Sequence, residues 1–414
     1  MTAVLSDCEQ RETATRATRL LYVCEFPPSN HHGGAILVKR LLDKHPADCL
    51  VVITSKDGMK ASPTTDLCEC RHIALPFFGR SRYMGISRLA RTLGLALVVC
   101  TTILEIRRKR IEALITIVAG RYYLAAALAA WASGTPHIAI VNDSFVSGSA
   151  SPSNFSRKML GYLTRKVLRN AAHIYAVSPE MQRLIFKECG VEAEVQLPST
   201  TAPPRSDESQ AQIAREDGPV ILFGGTAGYE VRDCLDLLAD LIATGQLKEY
   251  GMSEAKLHLC TALTDAELRT RGWDRHGIVS RGWVPQSELP QVLSSADILF
   301  LPYSFLESSR GAVETAFPSK IADYLAAGKP ILVFGPRYSS LVRYASEQGF
   351  AEIVDEFSPA ALASSIQKIV FSPTYKERLA ARALEVFAAN HDIRCQRQKF
   401  YLTLERVARA QLSQ

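Results

Sequence analysis

The 414-residue chain has 24 glycines but no G-x-G, and no G-x-x-x-x-G-K-[ST]. The first absence removes the dinucleotide fingerprint and the second removes the P-loop. No G-x-S-x-G marks a nucleophile elbow, which argues against an α/β-hydrolase. No D-x-D offers a paired-aspartate metal site. Ten cysteines are scattered without a C-x-x-C or spaced Cys/His pairs, so no zinc site is expected and reduced thiols are. Residues 1–19 are polar and carry both charge signs, without the apolar core of a secretory signal. The longest apolar-leaning run, residues 93–104, holds two threonines in twelve positions. A bilayer-spanning helix needs about 20 apolar residues, so a buried or interfacial helix is expected there, and a cytoplasmic location for the chain.

With hydrophobic residues at 47% and charged residues at 22%, the composition is that of a globular protein rather than a disordered or fibrous one. At about 150 residues per domain, two or three domains are expected. The net charge of +6 is unevenly spread. Residues 80–110 carry Arg80, Arg82, Arg88, Arg91, Arg107, Arg108, Lys109 and Arg110 against Glu105, a net of +7. Arg157, Lys158, Arg165, Lys166 and Arg169 add +5 with no acid among them, which leaves −6 for the rest. No RNA-binding or zinc-knuckle signature accompanies these patches, so nucleic acid is not the expected partner. Basic residues flanking an apolar segment suggest contact with an anionic membrane surface. The plain alternative is a solvated face over a buried helix.

Strand-like and helix-like segments alternate along the chain. Apolar runs at 20–23, 50–54, 111–118, 137–141, 174–177 and 195–197 are separated mostly by helical patterns, one of them from Gly33-Gly34 to Leu42. Short buried strands between helices mean βα units and a parallel sheet. Residues 198–218, rich in Pro, Ser and charge, read as a linker. The alternation then restarts at 220–223, 257–260, 278–279, 298–301, 331–334 and 352–354, with helices expected at 232–244, 287–295, 320–327 and 359–370. The expectation is therefore an α/β protein of two Rossmann-like domains, at 1–200 and 219–372. A linker covers 201–218, and a helical segment at 373–414 is expected to pack back towards the first domain.

The most informative stretch runs from Ser280 to Gly335. Gly282 and Pro285 shape a turn, Asp297 introduces a strand, and Pro318-Ser319-Lys320 opens a short helix ending before Gly328-Lys329-Pro330. Ser319 is a candidate N-cap. The helix N-terminus beside Lys320 would attract an anion. Lys320 and Asp323, three apart, share a helix face. A cation for phosphate and a carboxylate for paired hydroxyls suit a nucleotide diphosphate and its ribose.

These motifs resemble the retaining GT-B nucleotide-sugar glycosyltransferases, the clan of glycogen-synthase-like and polysaccharide-assembly enzymes. The resemblance runs through Gly33-Gly34, Ala176-Val177-Ser178, Phe223-Gly224-Gly225-Thr226, Gly282-Trp283-Val284-Pro285 and Pro318-Ser319-Lys320 to Pro330. It implies a glycosyltransferase with a nucleotide-diphospho-sugar as co-substrate, no other cofactor and no metal, acting on a glycan or a lipid-linked sugar. The family's ribose-binding Glu falls at Asp323, and its second Glu, by the donor sugar, falls at Thr315, with Glu314 beside it and Glu307 further up the loop. The family's basic pair is missing after Gly224-Gly225-Thr226, where Arg232 is the nearby cation, so Lys320, Arg232 and Glu314 are the candidate catalytic residues. Val284 takes the position that reads the nucleobase, and Ser319 belongs to the donor site. In the first domain the resemblance puts Gly33 and Gly34 against phosphate, and His31, His32, Asn142 and Asp143 on the acceptor side. Two alternatives stay open: a non-catalytic GT-B binding module, and a sugar-nucleotide epimerase of the same architecture.

Overall fold

The computed structural model describes residues 17–30, 33–62, 66–76, 84–145, 154–202 and 218–412. The chain divides into two compact units, residues 1–197 with 393–414, and residues 198–392. The 373–414 tail is therefore shared between the units rather than forming one segment. The basic positions Arg80 and Arg82, most of the linker, and His31 and His32 lie outside the described residues.

In the first unit the strands are β1 (Leu20–Val23), β2 (Leu50–Ser55), β3 (Arg71–Leu75), β4 (Ala113–Ile117), β5 (His137–Val141), β6 (His173–Ala176) and β7 (Glu194–Val195). They form one parallel sheet in the order β3-β2-β1-β4-β5-β6-β7. The helices are α1 (Gly33–Leu42), α2 (Lys56–Lys60), α3 (Met84–Lys109), α4 (Tyr122–Ser133), α5 (Asn154–Arg169) and α6 (Pro179–Cys189). Strand β3 was not anticipated, because its sequence RHIAL starts with two polar residues and most of it is half-exposed.

Right-handed crossovers put α1 and α2 on one sheet face and α3 to α6 on the other. The core is split accordingly. Leu20 and Tyr22 pack with Leu37 and Val38 of α1, whereas Leu21 and Val23 pack with Val98 and Ile106 of α3 and with Ala126 of α4. Both faces of β1, β2, β4 and β5 are covered, which is why those strands are apolar throughout. Ser178 caps α6 by accepting from the Met181 amide at 3.0 Å, with Pro179 at the first helical position.

The second unit repeats the plan. Its strands β8 (Val220–Gly224), β9 (Lys256–Cys260), β10 (Ile278–Ser280), β11 (Ile298–Pro302), β12 (Ile331–Phe334) and β13 (Ala351–Val354) make a parallel sheet in the order β10-β9-β8-β11-β12-β13. Helices α7 (Arg232–Ala243), α8 (Asp265–Arg271), α9 (Leu289–Ser294), α10 (Arg310–Val313), α11 (Ile321–Ala326), α12 (Ser340–Gln348), α13 (Pro359–Phe371) and α14 (Pro373–Val386) belong to this unit. A last helix, α15 (Ile393–Leu412), returns to the first unit, where Phe400 and Leu404 join Leu37 and Leu41 in the core.

In each sheet the strand order reverses beside the first strand, between β1 and β4 and between β8 and β11. Such switch points open a crevice at the carboxyl ends of the strands, where ligands bind in open α/β sheets. Gly34 and Asn142 lie at the first of these places, and Gly224, Gly225 and Lys320 at the second.

Candidate functional site

In the second unit β8 ends at Gly224-Gly225. The Gly224 amide donates to the Tyr324 hydroxyl at 2.8 Å, and the Gly225 amide donates to the Cys260 carbonyl at 2.8 Å. Tyr324 is fully buried, so this bond fixes where the strand stops. Gly225 has φ of 122°, a conformation that side chains resist. A Cβ built there would stand 3.2 Å from Lys320 Cε and Nζ, so the glycine leaves room for the lysine.

Lys320 occupies the N-cap of α11 rather than its first turn, and Ser319 makes no capping bond. The helix has six residues, too few for the strong N-terminal anion site expected from the sequence. The lysine itself supplies the charge. Its ammonium lies 3.8 Å from the centre of the buried Phe223 ring and makes no hydrogen bond or ion pair among the described residues. Burial pushes its pKa down to about 7, with Glu230 pulling the other way. The side chain as a whole is only half-buried. The ammonium thus sits against apolar surface with its donors uncommitted, a state that an incoming anion relieves.

Asp323, on the same helix, points elsewhere and accepts from Gln286 Nε2 at 3.3 Å. This contact ties α11 to the turn containing Gly282 (φ 66°) and the half-buried Val284. The Asp323 carboxylate and the Gly282–Pro285 turn are therefore neighbours.

Arg232 opens α7 with its guanidinium 3.7 Å from Asp236 and 54% of its side chain exposed. Thr226 is exposed. Glu314 and Glu307 both flank Arg310, at 3.9 and 3.4 Å, while Arg310 stacks on Tyr338. Thr315, where the resemblance expects an acid, is buried. The carboxylate whose charge acts on Lys320 is Glu230, which sequence reading missed. It had no signal except its place just ahead of α7. Two further contacts hold the Gly224–Glu230 loop: the Ser304 amide donates to the Glu230 carbonyl at 2.7 Å, and Arg271 donates to the Ala227 carbonyl at 2.8 Å.

The first unit has its own candidate place. A Cβ on Gly34 would come within 2.3 Å of Asn142 Nδ2, so any larger residue there would have to push that amide aside. Both polar atoms of the Asn142 side chain are shielded and without partners. Asp143, next along, is exposed. Glu25, unremarked in the sequence, follows β1 and accepts from the Arg121 amide at 2.6 Å, and burial raises its pKa. A Cβ on Gly120 would overlap its carboxylate, so the chain is built around that acid. Among the described residues no group of three or more His, Cys, Asp or Glu is placed to hold a metal ion.

Comparison with known proteins agrees with this fold. Residues 38–198 match the glycosyl transferase 4-like domain, and residues 218–371 match the glycosyl transferases group 1 family. The 2-deoxystreptamine glucosyltransferase of Streptomyces kanamyceticus is 25% identical over 275 residues, spanning 62% of this chain and 64% of that enzyme. The fold is similar to that of Anabaena HepE in complex with UDP and glucose (TM-score 0.68, 12% identity, 94% of this chain and 99% of that one). It is also similar to sucrose-phosphate synthase from Thermosynechococcus elongatus (TM-score 0.67, 16% identity, 94% and 99%). With one glycosyltransferase domain matched in each Rossmann-like unit, the chain belongs to the GT-B glycosyltransferases.

Proposed function

We propose that this protein moves a sugar from a nucleotide-diphospho-sugar to an acceptor, a glycan or lipid-linked sugar of glycoconjugate or polysaccharide synthesis, with retention of anomeric configuration. The observation that carries the reading is Lys320, an uncommitted ammonium beside the Gly224-Gly225 turn. A leaving diphosphate placed there would gain charge neutralisation and backbone donors as the C1–oxygen bond breaks, which is where such a reaction gains rate. Asp323 would hold the ribose hydroxyls and the Val284 turn the base. The acceptor hydroxyl attacks the same face of C1, and its proton passes to the departing phosphate oxygen, so no protein base is required. HepE, of the same fold, was solved with UDP-glucose, which supports UDP as the first nucleotide to try. Work at the cytoplasmic face of a membrane would suit a lipid-linked acceptor.

Calorimetric titration with UDP and GDP, followed by transfer assays with their sugars, tests the reading. Binding is expected for the parent and a loss of roughly 10- to 100-fold for Lys320→Ala, the range for hydrogen bonds to charged groups. Equal affinity in the two proteins would remove the site. A second reading, a binding module without catalysis, is favoured by the buried Thr315 and by Arg232 being engaged with Asp236. Nucleotide binding with neither transfer nor hydrolysis of the donor would support it.

A further inference from the structure

Helices α3, α4, α5 and α6 lie side by side on one face of the first sheet, and their outward surfaces are unusual. On α3, Leu93, Leu97 and Leu104 are 61%, 42% and 61% exposed. Their spacing of four and seven puts them in one stripe. No charged residue interrupts α3 between Thr92 and Leu104. Helix α4, YYLAAALAAWAS, has no charge at all, and its Leu128 and Trp131, three apart, are 52% and 80% exposed. Neither α4 nor the Thr92–Leu104 stretch of α3 has the charged outer face expected of a surface helix in a soluble domain.

The charge around this apolar centre is mostly positive, the half-buried Glu188 of α6 being paired with Arg165 at 3.5 Å. Arg107 and Arg108 end α3 in exposed positions, and Lys158 and Lys166 are exposed on α5, which contains no acid. The single acid of α3, Glu105, is buried and paired with Arg71 at 3.2 Å. Each helix runs back against a parallel sheet, so the carboxyl ends of α3, α4 and α5 gather at one edge. Leu104, Trp131 and Lys166 each lie within the last two turns of their helices. Exposed Met159 and Tyr162 extend the surface along α5.

We infer that this face docks on an anionic lipid bilayer, with Trp131 and the α3 leucines entering the headgroup boundary and the arginines and lysines contacting lipid phosphates. Self-association through the same face would set like charges against each other, whereas an anionic membrane supplies the opposite charge. Burial of the aromatic and leucine side chains adds a contribution that salt does not screen. No described helix is long and apolar enough to cross a membrane, so the contact is peripheral. The inference sharpens the proposed use of a lipid-linked acceptor and rests on that reading for its purpose, but its test is independent of Lys320.

Vesicle co-sedimentation with phosphatidylcholine alone and with added phosphatidylglycerol tests it. The parent should sediment with the anionic vesicles and keep part of its binding at about 0.5 M salt, where the Debye length falls to a few Å. Leu104→Glu with Trp131→Glu should weaken sedimentation about tenfold or more at any salt, while UDP titration shows the donor site intact. Arg107→Glu with Arg108→Glu should weaken it mainly at low salt. Brominated lipid should quench parent fluorescence more than that of Trp131→Phe. No sedimentation of the parent, or equal sedimentation of the Leu104/Trp131 variant, overturns the inference. So does a dimer in light scattering that the Leu104/Trp131 variant abolishes, since the face would then belong to a second copy. Loss of UDP binding in the parent would instead count against the donor site and leave this inference standing.

Discussion

The two units share a plan and differ in where they carry chemistry. Each is a parallel sheet reversing beside its first strand, with a glycine at the turn that follows. In the second unit the uncommitted charge sits at the strand ends, in Lys320. In the first unit the corresponding glycine, Gly34, faces the unpaired neutral amide of Asn142, which follows β5, and exposed cations line the outer helices. One scaffold thus presents an uncommitted ammonium at the strand ends of one sheet and a cationic, apolar surface on the outer helices of the other. Shared topology predicts where a ligand sits but not its charge.

The comparison breaks first at Lys320, where Lys320→Ala should cost the largest factor in nucleotide affinity and a change at Asn142 should leave that affinity alone. The glycines break it next. Gly225→Ala must accept φ of 122° and crowd Lys320, and should destabilise the second unit by about 1–3 kcal/mol in denaturant titration. Gly34→Ala meets only the end of the Asn142 side chain, so its smaller cost should be relieved in the double variant with Asn142→Ala. A calorimetric cycle reads both, and failure of the rescue would mean that Gly34 is needed for its backbone.

pH sharpens the comparison further. With its pKa lowered to about 7, Lys320 loses its charge as pH rises through neutrality, so UDP affinity should fall between about pH 6 and 8.5, within the range set by that shift. Lys320→Met should flatten this profile and, by removing a charge held against Phe223, should raise the melting temperature at pH 6. The smallest expected effect is one the units share. His137, bonded to Thr116, and His391, bonded to Tyr344 and Pro198, are buried neutral with pKa values lowered to about 4. The unfolded chain takes up protons near 6.5, so the histidines' contribution to stability should be constant above that value and decline as pH falls towards 4 in both units. Replacing His391 with Gln should blunt the acid loss if that account is right.

Much of the fold was legible because buried strands in parallel sheets are apolar on both faces. All six strands of the second unit fall where their runs predicted, and α1 and α7 start where their patterns start. Strand β3 escaped because it lies at an edge and begins Arg-His. The division of the tail escaped because helical periodicity says nothing about which core a helix covers. In the site, Lys320 was legible from its motif, whereas the direction of its side chain was not. That direction depends on Gly225 and Phe223, about a hundred residues earlier. Glu230 and Glu25 lie in turns without a pattern, and only three-dimensional contact singles them out.

The second unit is one continuous stretch whose ends are stitched together. Thr200 bridges Asp392, and the Thr200 amide donates to the His391 carbonyl at 3.0 Å. The first unit is, in effect, a host interrupted by a guest domain. During synthesis its sheet is complete by Val195, yet Leu37 and Leu41 stay uncovered until α15 has been made. A ribosome therefore finishes the guest before the host can close. Residues 198–392 should fold as an isolated fragment, while residues 1–197 should expose that bare face to chaperones and to aggregation.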